Sequence, residues 1–327
     1  MGAQFSSTFT QFFPPKPGFT ENNLSDLHGK VYIVTGSNTG VGKELARILY
    51  SKNAKVYIAA RSQDKAIKAI EEINKAYPTS KGSLVFLKLD LADLTGIKAS
   101  AEEFLAKETR LDVLFNNAGI QYRLPEPSKT PQGHEYHLGV NTIGTFTFSK
   151  LLTPILISTA KTQGAARIIW VSSQGAELLG EKSVGIDMSN LDYHNDKDFM
   201  YKYGISKVGN WLHGVEYAKR YKADGVISIP LNPGNLSSDL YRDAKGLMKL
   251  FLKVITYPSV NGAYTLLYAG LSPEITLEKT GSWVVPFGRI LPIRKDLTEA
   301  TKTKEEGGNG TADKFWEWTE EQVKSYV

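Results

Sequence analysis

Residues 31–45 read Val31-Tyr32-Ile33-Val34-Thr35-Gly36-Ser37-Asn38-Thr39-Gly40-Val41-Gly42-Lys43-Glu44-Leu45, and this stretch decides the fold. Val31–Thr35 is a short β-branched run that ends at a glycine, the pattern of a strand. From Val41 to Ser51 the apolar residues recur at helical spacing. The turn between them spaces its glycines as G-x-x-x-G-x-G. This differs from the common dinucleotide pattern G-x-G-x-x-G, but the physics is shared. Glycines let the backbone turn tightly and approach a pyrophosphate, and the helix N-terminus offers unpaired N–H donors to the anion. A P-loop is excluded, because Lys43 is followed by Glu44 and not by Ser or Thr.

Outward from this turn the same alternation repeats. Val56–Ala60, Leu84–Leu89, Val113–Phe115, Arg167–Val171 and Val226–Ile229 read as further strands, with helical stretches such as Asp64–Ala76 between them. Alternation of this kind predicts an α/β fold, a doubly wound parallel sheet with helices on both faces. No linker divides the chain, so residues 29–327 read as one domain, carrying an insertion at 174–200 and a second apolar segment at 237–258. Residues 1–28 read as an N-terminal arm, in which Pro14-Pro15-Lys16-Pro17-Gly18 disfavours regular structure. A last helix is expected over Ala312–Tyr326, packing Phe315, Trp316, Trp318 and Val323 on the body.

Composition excludes several classes. With 39 basic and 34 acidic residues in 327, the charge of +5 is mild, and no dense cluster concentrates it, so nucleic acid is not an expected partner. An apolar content of 41% excludes intrinsic disorder. The absence of cysteine removes disulfides, thiolate metal sites and a cysteine nucleophile together. His134-Glu135-Tyr136-His137 is one residue short of the H-E-x-x-H zinc motif, and no metal site is expected. Val254–Pro273, the longest relevant uncharged stretch, is broken by Pro258, Asn261 and Gly262, and no bilayer span is expected. The N-terminus lacks the features of a secretory signal.

Three features point to chemistry. The second strand ends Ala59-Ala60-Arg61, about 20 residues beyond the glycine turn, where an acid would hold the ribose 2′-hydroxyl of NAD. Ala60 removes that acid, and Arg61 suits a 2′-phosphate, which favours NADP(H). Tyr203 and Lys207 stand four apart on one helix face, so an ammonium can lower a phenol pKa that is otherwise near ~10. The strand Arg167–Val171 runs into Ser172-Ser173, placing a hydroxyl at the sheet edge where open α/β sheets bind ligands. Neither serine lies in a G-x-S-x-G elbow, so a hydrolase is not indicated.

Taken in order, the glycine turn, Asn116-Asn117-Ala118-Gly119, Ser173, Tyr203-x-x-x-Lys207 and Pro233-Gly234 resemble the short-chain dehydrogenase/reductase family from about Gly29 to the C-terminus. The phrase Gly36-Ser37-Asn38-Thr39-Gly40 and the 30 residues from Ser173 to Tyr203 are most similar to the retinol dehydrogenase and WW-domain oxidoreductase branch with its fungal members. The resemblance implies a Rossmann-type sheet and residue roles. Tyr203 would be the general acid/base, Lys207 would bind the nicotinamide ribose and depress the tyrosine pKa, and Ser173 would polarise the substrate oxygen. Asn141 would anchor a proton-relay water. Gly36, Ser37, Asn38, Thr39, Gly40, Val41 and Gly42 would hold the cofactor pyrophosphate. Asp90 with Leu91 would meet the adenine, and Asn117, Ala118 and Gly119 would lie beside the ribose. Pro233, Gly234, Leu236 and Ser238 would face the nicotinamide, with Ser238 in place of the family's usual threonine. Thr39 stands where some NADP-dependent members carry a basic residue, so Arg61 would hold the 2′-phosphate largely alone.

The implied activity is an NADP(H)-dependent carbonyl/alcohol oxidoreductase, a carbonyl reductase or alcohol dehydrogenase, acting on a lipophilic substrate. Leu178, Leu179, Tyr193 and Phe199 of the insertion, with the 237–258 segment, would choose that substrate. Other readings stay open. Met1-Gly2-Ala3-Gln4-Phe5-Ser6 fits both an N-myristoylation signal and an ordinary tail. The apolar segment with Lys245, Lys249 and Lys253 fits a lid, a membrane-surface helix or a packed helix. The chain is accordingly expected in the cytoplasm or peripherally on an intracellular membrane. The alternatives to an enzyme are a non-catalytic NADP(H) sensor and a membrane-recruited interaction protein.

Overall fold

The computed structural model describes residues 8–121, 128–236 and 256–327. Eight strands form one sheet: β1 (Val31–Thr35), β2 (Lys55–Ala60), β3 (Ser83–Lys88), β4 (Val113–Asn116), β5 (Ala166–Val171), β6 (Val226–Leu231), β7 (Val284–Val285) and β8 (Arg289–Ile290). Their spatial order is β3-β2-β1-β4-β5-β6-β7-β8. Every pairing is parallel except β7 with β8. Helices intervene as α1 (Gly40–Ser51), α2 (Gln63–Ala76), α3 (Leu94–Leu105), α4 (Tyr136–Gln163), α5 (Gln174–Leu179), α6 (Phe199–Tyr221), α7 (Ser259–Leu271), α8 (Lys295–Ala300) and α9 (Thr311–Val323). This is the doubly wound Rossmann-type architecture that the sequence predicts.

All five residues of β1 are buried, because both faces of the sheet are covered. The strand pleat sends Val31 and Ile33 into the core beneath α3, α4, α6 and α9, and Tyr32 and Val34 into the core beneath α1, α2 and α7. After β3 the chain crosses back to lay β4 beside β1. This reversal splays the β1 and β4 loops apart at their carboxyl ends, which opens the crevice typical of such sheets.

Three findings differ from the sequence expectation. Ahead of its proline run the arm is helical over residues 8–12, and Gln11 is only 1% exposed. The β7–β8 pair and α8 are unanticipated, since two-residue strands carry no readable period. Helix α4 is long and apolar enough to cross a bilayer, yet 72% of its apolar window is buried inside the body, which marks it as a core helix. Gly2, Ser6 and Ser238, together with residues 237–255 of the second apolar segment, lie outside the described residues.

Candidate active site

The glycine turn is interlocked with the loop after β4. Gly36 has φ +67°, and a Cβ added there would lie 2.9 Å from the Ala118 Cα. At Gly42 a Cβ would stand 2.6 Å from the Asn117 Nδ2 and 2.8 Å from the Gly36 carbonyl oxygen. No side chain fits at either position. Asn117 donates to the Thr35 carbonyl at 2.9 Å, and the Ala118 N–H donates to the Thr35 hydroxyl at 2.9 Å. Ser37 is fully buried and donates to the Val34 carbonyl at 2.6 Å. The turn therefore presents Gly36, Asn38, Thr39 and Val41 to a cleft of about 680 Å³, together with Asn117, Ala118 and Gly119. Ser37, Gly40 and Gly42 do not line it; they shape the backbone that does.

One end of the cleft runs over the carboxyl ends of β2 and β3. It is lined by Ala60, Arg61, Ser62, Lys65, Asp90 and Leu91, among others. Asp90 accepts the Ala92 N–H at 3.0 Å, which fixes the turn after β3. Arg61 and Lys65 are both exposed, and neither makes an ion pair or hydrogen bond among the described residues. Lys65, which the sequence reading did not single out, lines this end beside Arg61. The start of α2 immediately after Arg61 puts Lys65 in its first turn, and helical side chains lean toward the N-terminus.

The other end lies over β5 and β6. Tyr203 and Lys207 sit on one face of α6, with the Lys207 Nζ 5.9 Å from the tyrosine ring centroid. Both are buried. Lys207 donates to the Val171 carbonyl at 2.9 Å, and burial pulls its ammonium down to about 8. Both serines border the cleft, but their hydroxyls differ. The Ser172 hydroxyl is turned inward and donates to the Lys207 carbonyl at 2.6 Å. Ser173 caps α5 by accepting the Gly175 N–H at 3.0 Å and lines the cleft with Tyr203. Gly175 brings that helix end against the tyrosine: a Cβ there would be 3.2 Å from its Cε1.

Asn141 occupies a π-helical turn of α4, Gly139–Gly144, and is wholly buried. Its amide clamps Ile120, accepting from the N–H at 2.7 Å and donating to the carbonyl at 3.0 Å. It also donates to the Ser206 hydroxyl on α6 at 2.9 Å. The side chain therefore ties the β4 loop to the tyrosine helix and does not line the cleft. Pro233, Gly234 and Leu236 do line it, after β6. Of the insertion residues, Leu178, Leu179 and Met200 reach the cleft, whereas Tyr193 packs on the core and Phe199 is not in the lining. Phe12 of the arm completes this wall, and nothing local in the sequence signals it. Among the described residues no three His, Asp or Glu side chains converge as metal ligands.

Comparison with known proteins agrees with this geometry. The short chain dehydrogenase family model matches residues 30–183. A short-chain dehydrogenase/reductase of Phomopsis amygdali is 54% identical, with 98% of this chain and 97% of that protein aligned. Retinol dehydrogenase 11 of Mus musculus is 39% identical over 75% of this chain and 74% of its own. Among solved structures, an uncharacterised protein of Mycobacterium paratuberculosis superposes with a TM-score of 0.70 at 26% identity, covering 94% of this chain and 98% of that one. The Pseudomonas aeruginosa RhlG structure, described as an NADP active-site complex, has the same fold, with a TM-score of 0.64 at 22% identity and coverage of 83% and 97%. Relatives this similar along nearly the whole length leave one conclusion: the chain belongs to the short-chain dehydrogenase/reductase family of oxidoreductases.

Proposed function

We propose that this protein is an NADP(H)-dependent oxidoreductase that interconverts a carbonyl and an alcohol on a lipophilic substrate. The observation that carries this reading is one cleft holding Ser173 and Tyr203 over a buried Lys207 at one end, and two unpartnered cations at the other. The side-chain-free cradle at Gly36 and Gly42 suits a pyrophosphate. Arg61 and Lys65, with no acid at position 60, suit a 2′-phosphate.

A nicotinamide dinucleotide held by the Gly36–Gly42 turn and by Pro233 and Gly234 would supply or accept the hydride. The chain's residues manage the oxygen and its proton. Ser173 directs its hydroxyl at the carbonyl oxygen, where negative charge develops. Tyr203 gives the proton to that oxygen, or takes it in the reverse direction. The Lys207 ammonium, held by the Val171 carbonyl, favours the phenolate form of Tyr203. Leu178, Leu179 and Met200 give the substrate end an apolar wall.

The test is oxidation of NADPH and of NADH in the presence of a panel of aldehydes and ketones. Turnover is expected with NADPH preferred. Tyr203→Phe is expected to lower kcat by about 10³-fold or more while leaving NADPH binding in place. Turnover near the native rate in that variant, or no oxidation with any carbonyl, overturns the proposal.

A further inference from the structure

The arm enters the site from the far end of the sequence, and its contacts are specific. Gln11 is buried between two elements of the substrate end. Its amide nitrogen donates to Glu177 Oε2 on α5 at 2.8 Å, and its amide oxygen accepts from Asn232 Nδ2 at 2.9 Å. Asn232 in turn accepts the Gly234 N–H at 3.0 Å, in the turn that borders the cleft. Glu177 lies one helical turn beyond Ser173, which caps the same helix. An unbroken chain of hydrogen bonds therefore runs from the serine's helix through the arm to the Pro233–Gly234 turn. The neighbouring arm residues are pinned by backbone contacts. Arg289 donates to the Thr10 carbonyl at 2.7 Å, Gln174 to the Thr8 carbonyl at 3.4 Å, and the Tyr257 hydroxyl to the Phe12 carbonyl at 3.4 Å. Phe12, held by these anchors at the β5–β6 end, is part of the cleft lining, as are Leu178, Leu179 and Met200.

We infer that residues 8–13 are a working part of the substrate site. Phe12 is a specificity-determining wall for bulky apolar carbonyl substrates, and Gln11 is a positioning residue that braces Ser173 against the Pro233–Gly234 turn. The inference rests on the functional reading above and adds the source of its selectivity. The chemistry of the brace explains why glutamine serves. Glu177 offers an acceptor and Asn232 a donor, and an amide is the neutral group that satisfies both at once. Withdrawing the arm would leave Glu177 Oε2 and the Asn232 amide nitrogen without these bonds, while Glu177 Oε1 keeps the Arg294 N–H at 3.1 Å and Asn232 keeps Gly234, so the docked arrangement is favoured. On the same short helix and just after it, Phe9 and Phe13 are exposed, with their ring centroids 5.1 Å apart.

The experiment uses the full chain and NADPH, with butanal as the small substrate and 9-anthraldehyde as the bulky apolar one. Phe12→Ala is expected to raise the bulky-to-small ratio of kcat/KM by about 10-fold, and Phe12→Trp to lower it by a similar factor. Gln11→Glu sets two carboxylates against each other and is expected to cut kcat by about 10-fold with the NADPH Kd within about 2-fold of native. The exchange Gln11→Glu with Glu177→Gln restores one donor and one acceptor, and is expected to recover kcat to within about 3-fold. A purely structural role for the arm would not show this rescue together with an unmoved cofactor Kd. Ratios that stay within about 2-fold of native in both Phe12 variants, or an exchange that fails to rescue, overturn the inference while leaving the functional reading intact. A native chain that binds NADPH yet reduces neither these nor any other carbonyl overturns the functional reading and this inference with it.

Discussion

The two ends of the cleft both use cations, and they use them in opposite ways. At the β2–β3 end the Arg61 and Lys65 side chains stand in solvent with no partner among the described residues, available to a ligand and screened by salt. At the β5–β6 end Lys207 is sealed under Tyr203, and its charge is held against the pull of burial by one backbone carbonyl. An exposed cation is cheap to keep and weak in effect. A buried one is costly to keep and acts strongly on its neighbour, since its field is not dissipated by water. On the function proposed above, recognition of the cofactor and control of the reacting proton fall to different electrostatic regimes within one cavity.

Four measurements can break or sharpen this contrast. The largest effect is expected from the serines, whose roles diverge although they are adjacent. Ser173→Ala should lower kcat by about 10²- to 10³-fold, as loss of an oxyanion-directed donor does. Comparable activity in that variant would reassign the carbonyl contact. Next, Lys207→Met should stabilise the free protein at pH 7 by up to about 3 kcal/mol in urea unfolding, with the advantage fading toward pH 10. The sign follows from burial. The folded value is about 8, below its ordinary 10.5, so the unfolded chain binds more protons between those values. The cost of the charge is full below pH 8 and is relieved as pH rises toward the unfolded value. An advantage that does not depend on pH would mean that the ammonium is not strained. Third, Arg61→Ala with Lys65→Ala should weaken NADPH binding by about 10- to 100-fold and leave NADH nearly unchanged, with the gap closing in high salt. Equal loss for both dinucleotides would remove these cations from the 2′-phosphate. The smallest effect is expected for Ser172→Ala, about 1 kcal/mol of stability for its bond to the Lys207 carbonyl.

The same contrast separates what could be read in the sequence from what could not. The turn, Arg61, and the Tyr203–Lys207 pair are legible because each is a contiguous pattern whose period or glycine spacing fixes its own geometry. Lys65 was readable by the same logic, since a helix starting just after Arg61 folds its first turn back over the strand end. The choice between Ser172 and Ser173 came from the family resemblance; in the structure the Ser172 hydroxyl is engaged inward with the Lys207 carbonyl. At the substrate end local rules carry only part of the way. Apolar character suggested Leu178, Leu179, Tyr193 and Phe199; the first two line the cleft, and Met200 and Phe12 take the places expected of the others. Gln11 meets partners 166 and 221 residues away, and no local signal encodes a contact at such range. The sheet order was legible only as a class, and the short β7–β8 pair lay below the length at which strand patterning can be seen.

The docked arm also sets an order of events during synthesis. Residues 8–12 leave the ribosome ahead of the body, but their anchors at Glu177, Asn232 and Arg289 come up to 279 residues later. This early segment must wait for almost the whole body before it can seat. Contacts this distant in sequence form late and carry the largest loop-closure entropy. The wall at Phe12 is therefore among the last parts to seat, and on the proposed reading selectivity is installed after the glycine turn has been made.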